Sequence, residues 1–206
     1  LGRLPATSAG QLQDMIDKII SYEQSGGEWS KQVILLADSP ANAGNFPADS
    51  DRLAGLIPAE YGVDKIYLST SSVSQARQQL FAGLDSGVGL LNYIGHAGLD
   101  RLSRERLLQS SDVPNLTNQQ RLPVVTAMTC VVGRFGLAGT DSLGERLVQH
   151  SNGGAVAVWA PTSVSVNPEA NRLDRAFYRA TFAEPERTLG QIIRATQADY
   201  TAQGGM

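Results

Sequence analysis

The chain has 206 residues, 42% of them hydrophobic and 18% charged, with a formal net charge of -3. That balance can bury a core, which excludes a disordered chain, and the weak acidity excludes an electrostatic match to nucleic acid or an anionic membrane. The length fits one domain, 1–206, and no apolar run approaches the ~20 residues of a transmembrane helix.

The first residues, Leu1 to Gly10, lack the basic and apolar regions of a signal peptide. The first residue is not Met and the chain opens mid-pattern, so it reads as a mature or excised segment. It holds a single cysteine, Cys130, and two histidines, His96 and His150. One thiol excludes an intrachain disulfide and a cysteine-based structural zinc site. Two histidines weigh against a histidine-rich metal site, so no metal ligands are assigned.

Helix and strand patterns alternate along the chain. Leu12, Met15, Ile16, Ile19 and Ile20 fall on one helical face. Val33 to Ala37 is an apolar run of strand length. Asp38 to Asp51 reads as a long irregular loop, ending in acidic residues just before a short helix around Leu53. A strand follows at Lys65 to Leu68, then a helical stripe of Ala76, Leu80 and Leu84. Val88 to Ile94 reads as a buried strand and Arg101 to Gln109 as a helix. Pro123 to Met128 is another buried strand, and Leu143 and Leu147 lie one turn apart on a helix. Ala155 to Trp159 is a fifth strand, with Trp159 expected in the core. Leu173, Ala176, Phe177 and Ala180 mark one helix, and Leu189, Ile192 and Ile193 the last. Asn167-Pro168 and Glu184-Pro185-Glu186 punctuate between elements. His150 and Arg134 read as surface residues.

Near-continuous apolar strands between amphipathic helices predict a three-layer α/β fold, a mainly parallel sheet flanked by helices. Such sheets bind ligands at the carboxyl ends of their strands. Asp38, His96 and Cys130 each stand just past the end of a predicted strand, so all three are expected on one rim. A thiol beside an imidazole there is the arrangement nucleophilic catalysis needs, and a carboxylate behind the imidazole can orient it. The competing reading of each residue is a small buried thiol, a structural histidine and a turn aspartate.

Asn92 to Gly98 (NYIGHAG) and Leu122 to Phe135 (LPVVTAMTCVVGRF) resemble the two catalytic blocks of the gingipain family of cysteine peptidases, within the caspase-like fold group. The likeness extends to the amino-terminal LGRLPATSAGQLQDMIDKIISYE and to SLGERLV and GGAVAVWAPTS after Cys130. It implies a cysteine endopeptidase with Cys130 as nucleophile, His96 as acid/base and Asp38 as the histidine's acidic partner. It also implies oxyanion donors at the backbone of Cys130 and Ala97, with Ala97 standing where most relatives have Gly. Asp49 or Asp51 matches the region that binds a basic P1 side chain in arginine-specific members. Thr162 to Asn167, including Ser163 and Val164, would form the facing wall of that pocket. The resemblance further implies peptide or protein substrates, further domains in the parent protein and an extracytoplasmic location, secreted or in the envelope. It requires no cofactor and allows a structural calcium. Two other classes stay open: an inactive caspase-like scaffold or secretion module, and an unrelated doubly wound α/β enzyme or small-ligand binder.

Overall fold

A computed structural model describes residues 2–184 and 187–205. Pro185 and Glu186, part of the punctuation noted above, lie outside the described residues. The helices are α1 (Ala9–Gln24), α2 (Phe46–Ala54), α3 (Val73–Ser86), α4 (Leu143–Gln149), α5 (Asn167–Ala183) and α6 (Leu189–Ala202). The strands are β1 (Gln32–Ala37), β2 (Gly62–Tyr67), β3 (Leu90–Ile94), β4 (Ala97–Gly98), β5 (Arg101–Leu102), β6 (Leu108–Gln109), β7 (Val124–Met128) and β8 (Ala157–Trp159).

Five strands form one sheet in the order β2-β1-β3-β7-β8, and every pairing is parallel. β1 is buried on both sides because its residues alternate between two cores. Ile34 and Leu36 join Ala76, Leu80 and Leu84 of α3 and Leu143 and Leu147 of α4. Val33, Leu35 and Ala37 join Phe46 and Leu53 of α2 and Phe177 and Tyr178 of α5, with α6 contributing Leu189, Ile192 and Ile193. Each fully buried Leu or Ile contributes about 1.5–3 kcal/mol. The result is the expected three-layer α/β arrangement.

The chain runs outward from β1 to β2, then returns past β1 to β3. That reversal puts a topological switch point between β1 and β3, where such sheets open a crevice at their carboxyl ends.

Five sequence expectations need correction. The segment after β1 is a loop only to Asn45, because the helix starts at Phe46, capped by the Asn45 side chain and opened by Pro47. Residues 101–109 are not a helix. They supply β5 and β6, which with β4 form a three-stranded antiparallel sheet. On α1, Leu12 and Ile20 are exposed while Lys18 is buried with Met15. The Lys18 ammonium donates to the carbonyls of His150 (2.8 Å), Gly153 (2.9 Å) and Leu147 (3.4 Å), capping the carboxyl end of α4. Burial pulls the Lys18 pKa down to about 8. His150 also departs from a free surface role: it is half-buried, with its Nε2 3.0 Å from the Leu116 carbonyl oxygen. Trp159 is half-buried rather than core, its ring 5.2 Å from that of Phe177.

Candidate active site

The parallel register fixes where the three candidate residues emerge. Ala37 of β1 pairs with Ile94 of β3, and Ile94 pairs with Met128 of β7. His96 and Cys130 each stand two residues past that last shared rung, and Asp38 one residue past its own. The next rung is also tied, because the Thr129 hydroxyl donates to the Gly95 carbonyl. Adjacent strands therefore deliver the imidazole and the thiol to one rim, both half-buried. Gly95 is required by close approach: a Cβ there would lie 2.4 Å from the Asp38 Cβ and 2.5 Å from the Tyr93 hydroxyl.

Asp38, 5% exposed, accepts the His96 backbone N–H at 3.2 Å and the Ser39 N–H at 2.9 Å through its carboxylate. The Tyr93 hydroxyl lies 3.4 Å from the same carboxylate and donates to the His96 carbonyl at 2.5 Å. The carboxylate thus holds the histidine by its main chain. The imidazole ring rests instead on Phe46, edge to face, with centroids 5.4 Å apart. Burial, then the Asp38 charge, raises the Tyr93 pKa well above its ordinary value, so the phenol remains a donor.

Ala97 opens β4 and is not among the residues with positive φ, so alanine fits there without strain. The Ser103 N–H donates to the His96 carbonyl at 2.8 Å, which makes Ala97 and Leu102 the non-hydrogen-bonded rung of the hairpin. The Ala97 N–H therefore faces away from β5. Among the described residues, the Cys130 N–H has no hydrogen-bond acceptor.

The chain turns sharply after Cys130, with Val131 at φ 44°. A β-branched residue in this region is strained, by roughly 1–3 kcal/mol. The loop after β8 holds the turn. The Val131 N–H donates to the Ser163 carbonyl at 3.1 Å, and the Gly133 N–H to the Pro161 carbonyl at 3.0 Å. The Ser165 hydroxyl donates to the Thr129 carbonyl, and the Cys130 Sγ lies 3.8 Å from the Ser165 carbonyl oxygen. Thr162, Ser163 and Val164 line this loop and are exposed, Val164 to 77%. Asn167 begins α5.

The two acidic candidates on α2 diverge. Asp49 is buried, and its Oδ2 accepts from Asn167 Nδ2 at 2.8 Å while its Oδ1 is paired with Arg52. Asp51 is 52% exposed at the side chain and faces the edge strand, where it accepts from Lys65 at 2.7 Å and from the Tyr67 hydroxyl at 3.0 Å. Hydrogen bonding to Lys65 holds its carboxyl below the ordinary value. Asp49 therefore joins the loop of Asn167, and Asp51 does not.

The family model of peptidase family C25 matches residues 1–206. The chain belongs to peptidase family C25. Gingipain R2 and Gingipain R1 of Porphyromonas gingivalis are each 25% identical to it over 142 residues, 66% of this chain. The chain spans 19% of that Gingipain R2 and 14% of that Gingipain R1. Among solved structures, that of the Arg-specific cysteine proteinase gingipain R superposes with a TM-score of 0.83 at 21% identity. The overlap covers 96% of this chain and 49% of the other. A complex of the RgpB pro- and mature domains gives 0.81 at 20% identity, covering 97% of this chain and 50% of that one.

Within this C25 chain, several contacts of the site had no sequence expectation. Phe46, Tyr93, Thr129 and Ser165 touch His96 or Cys130, or tie the strands that carry them. Phe46 could have been found from the cap at Asn45 and the proline at position 47, which mark a helix start. Ser165 touches the Cys130 sulfur through its backbone carbonyl, and no side-chain pattern reveals that. Among the described residues, no cluster of three or more His, Cys, Asp or Glu side chains is placed to hold a metal ion. No helix among them is long and apolar enough to cross a membrane.

Proposed function

We propose that this chain is the catalytic part of a cysteine endopeptidase that selects basic residues at P1. One observation carries the reading: His96 and Cys130 leave adjacent parallel strands at the same level, two residues past the paired Ile94 and Met128. In this reading the Cys130 Sγ attacks the peptide carbonyl carbon, and the His96 imidazole takes the thiol proton. The C–N bond then breaks, and the imidazolium gives its proton to the leaving amine. Water, deprotonated by His96, cleaves the resulting thioester and frees the thiol.

The backbone N–H groups of Cys130 and Ala97 are the oxyanion donors, a role supported by the outward face of Ala97 and the unbonded amide of Cys130. Asp38 is a positioning residue acting through the His96 main chain. Asp49 is the carboxylate for a P1 Arg or Lys, with Thr162, Ser163, Val164 and Asn167 on the facing wall. Burial and the bond to Asn167 favour Asp49 over Asp51 for this role. No step uses a cofactor. A secreted or envelope setting and attachment to further domains belong to the same reading, on likeness to the gingipains alone.

Cleavage of P1-varied fluorogenic peptides tests the proposal. The expected result is turnover by the native protein, strongest with Arg or Lys at P1, and none by Cys130→Ala. No turnover by folded, reduced native protein would sink the proposal and favour an inactive scaffold.

A further inference from the structure

Asp49 is 6% exposed at the side chain and already has two partners within its own chain. Asn167 occupies Oδ2, and Arg52, one helical turn further along α2, occupies Oδ1. The guanidinium side of this pair is open to solvent, since the Arg52 side chain is 57% exposed. A carboxylate buried this far needs a counter-charge or strong donors. An exposed, movable arginine meets that need in the free protein.

The pair also stands between the two halves of the site. Phe46 and Asp49 lie one turn apart on the buried face of α2, and Phe46 carries the His96 ring. Asn167 closes the loop whose Ser165 carbonyl touches the Cys130 sulfur. A guanidinium or ammonium approaching Asp49 from the site therefore meets a carboxylate that another guanidinium already holds. We propose that Arg52 is a specificity-determining residue, an internal competitor that a basic P1 side chain must displace from Asp49. The inference rests on the placement of Asp49 in the substrate pocket given above.

The competition has a definite sign. Displacing Arg52 exchanges one ion pair for another, so the native protein's preference for a basic P1 is narrower than an unpaired Asp49 would give. A neutral P1 of similar length leaves Arg52 in place. Arg52→Gln keeps a polar side chain with amide donors but removes the competing charge. An ion pair with one solvated partner is worth about fivefold in an equilibrium constant.

The test has two arms. In the first, kcat/KM is compared for peptides with Arg or citrulline at P1. Arg52→Gln is expected to raise the Arg-to-citrulline ratio about fivefold, mainly through KM. If Arg52 only stabilises α2, the variant lowers melting temperature or both rates together and leaves the ratio unchanged, which overturns the inference. In the second arm, benzamidine binding is measured by calorimetry in the Cys130→Ala background, where no turnover occurs. Adding Arg52→Gln is expected to tighten binding about fivefold, and adding Asp49→Asn to abolish it. Equal affinity with and without Arg52, or no benzamidine binding in any variant, overturns the inference while Cys130-dependent cleavage would still stand. Tighter benzamidine binding without peptide cleavage would sink the peptidase reading and leave the competition at Asp49 in place.

Discussion

At the scale of single residues, the site depends on how closely backbones approach one another at the sheet edge. Gly95 lets the chain cross directly over Asp38 and the Tyr93 hydroxyl before it reaches His96. Gly95→Ala places a methyl group where neither neighbour can yield without moving the histidine. A displacement near 1 Å at a reacting group costs on the order of 100-fold, so kcat/KM should fall by about that factor. Circular dichroism should meanwhile report an intact fold. Activity within a few-fold of the native protein would show that the His96 position tolerates the shift. The placement of His96, Cys130 and Asp38 at one sheet edge was legible in the sequence because each follows an apolar run that ends abruptly. What could not be read was how Asp38 works. A carboxylate one residue past a strand can reach a main-chain N–H or a ring nitrogen, and the spacing is the same for both. Only the folded arrangement, with the ring turned onto Phe46, distinguishes them.

At the scale of elements, α5 is fastened to the sheet by a buried polar knot. Asn92 of β3 donates to both carboxyl oxygens of Asp174 on α5, at 2.9 and 2.8 Å, and to the hydroxyl of Thr126 on β7. Asp174 is fully buried, and desolvation raises its pKa from 3.8 to about 8, against the lowering effect of the Asn92 bond. The folded state therefore keeps a proton that the unfolded chain has released between about pH 4 and pH 8. Folding takes up a proton in that window, so this group's contribution to stability falls as pH rises through it. Asp174→Asn retains an acceptor for Asn92 and does not ionise. Urea denaturation should show the variant close to the native protein near pH 4 and more stable by on the order of 5 kcal/mol at pH 8. A difference that does not grow with pH would mean the carboxyl is ionised in the folded state.

The elements that escaped the sequence did so for local reasons. Ser103 and Arg106 adopt φ of 63° and 61°, values that break a helix, yet neither is the Gly or Asn that announces such a turn. Lys18 sits on the inner face of α1 among apolar positions, and only the open carbonyls at the end of α4 make its burial tolerable. The parallel strands were legible because two-sided burial leaves a near-continuous apolar run, a signal that needs no tertiary knowledge.

At the scale of the molecule, the strand order carries a kinetic consequence. Parallel neighbours cannot be joined by a tight hairpin, and each ladder here closes over an intervening helix or long crossover. Val33 pairs with Leu90, Leu90 with Val124 and Val124 with Ala157. Loop-closure entropy must be overcome before any of these contacts stabilises the chain, which gives a high contact order and slow folding. The proposed site draws on β3, β7 and the loop after β8, so no early, local piece of structure contains it whole. Refolding from urea should return the proposed peptidase activity only with the slowest phase of tertiary structure. Activity ahead of that phase would mean that the dyad assembles in a partly folded chain. While the polypeptide is incomplete or collapsing, its lone thiol is present without its imidazole, and under the proposed function the topology itself would delay a proteolytic centre until the whole sheet has closed.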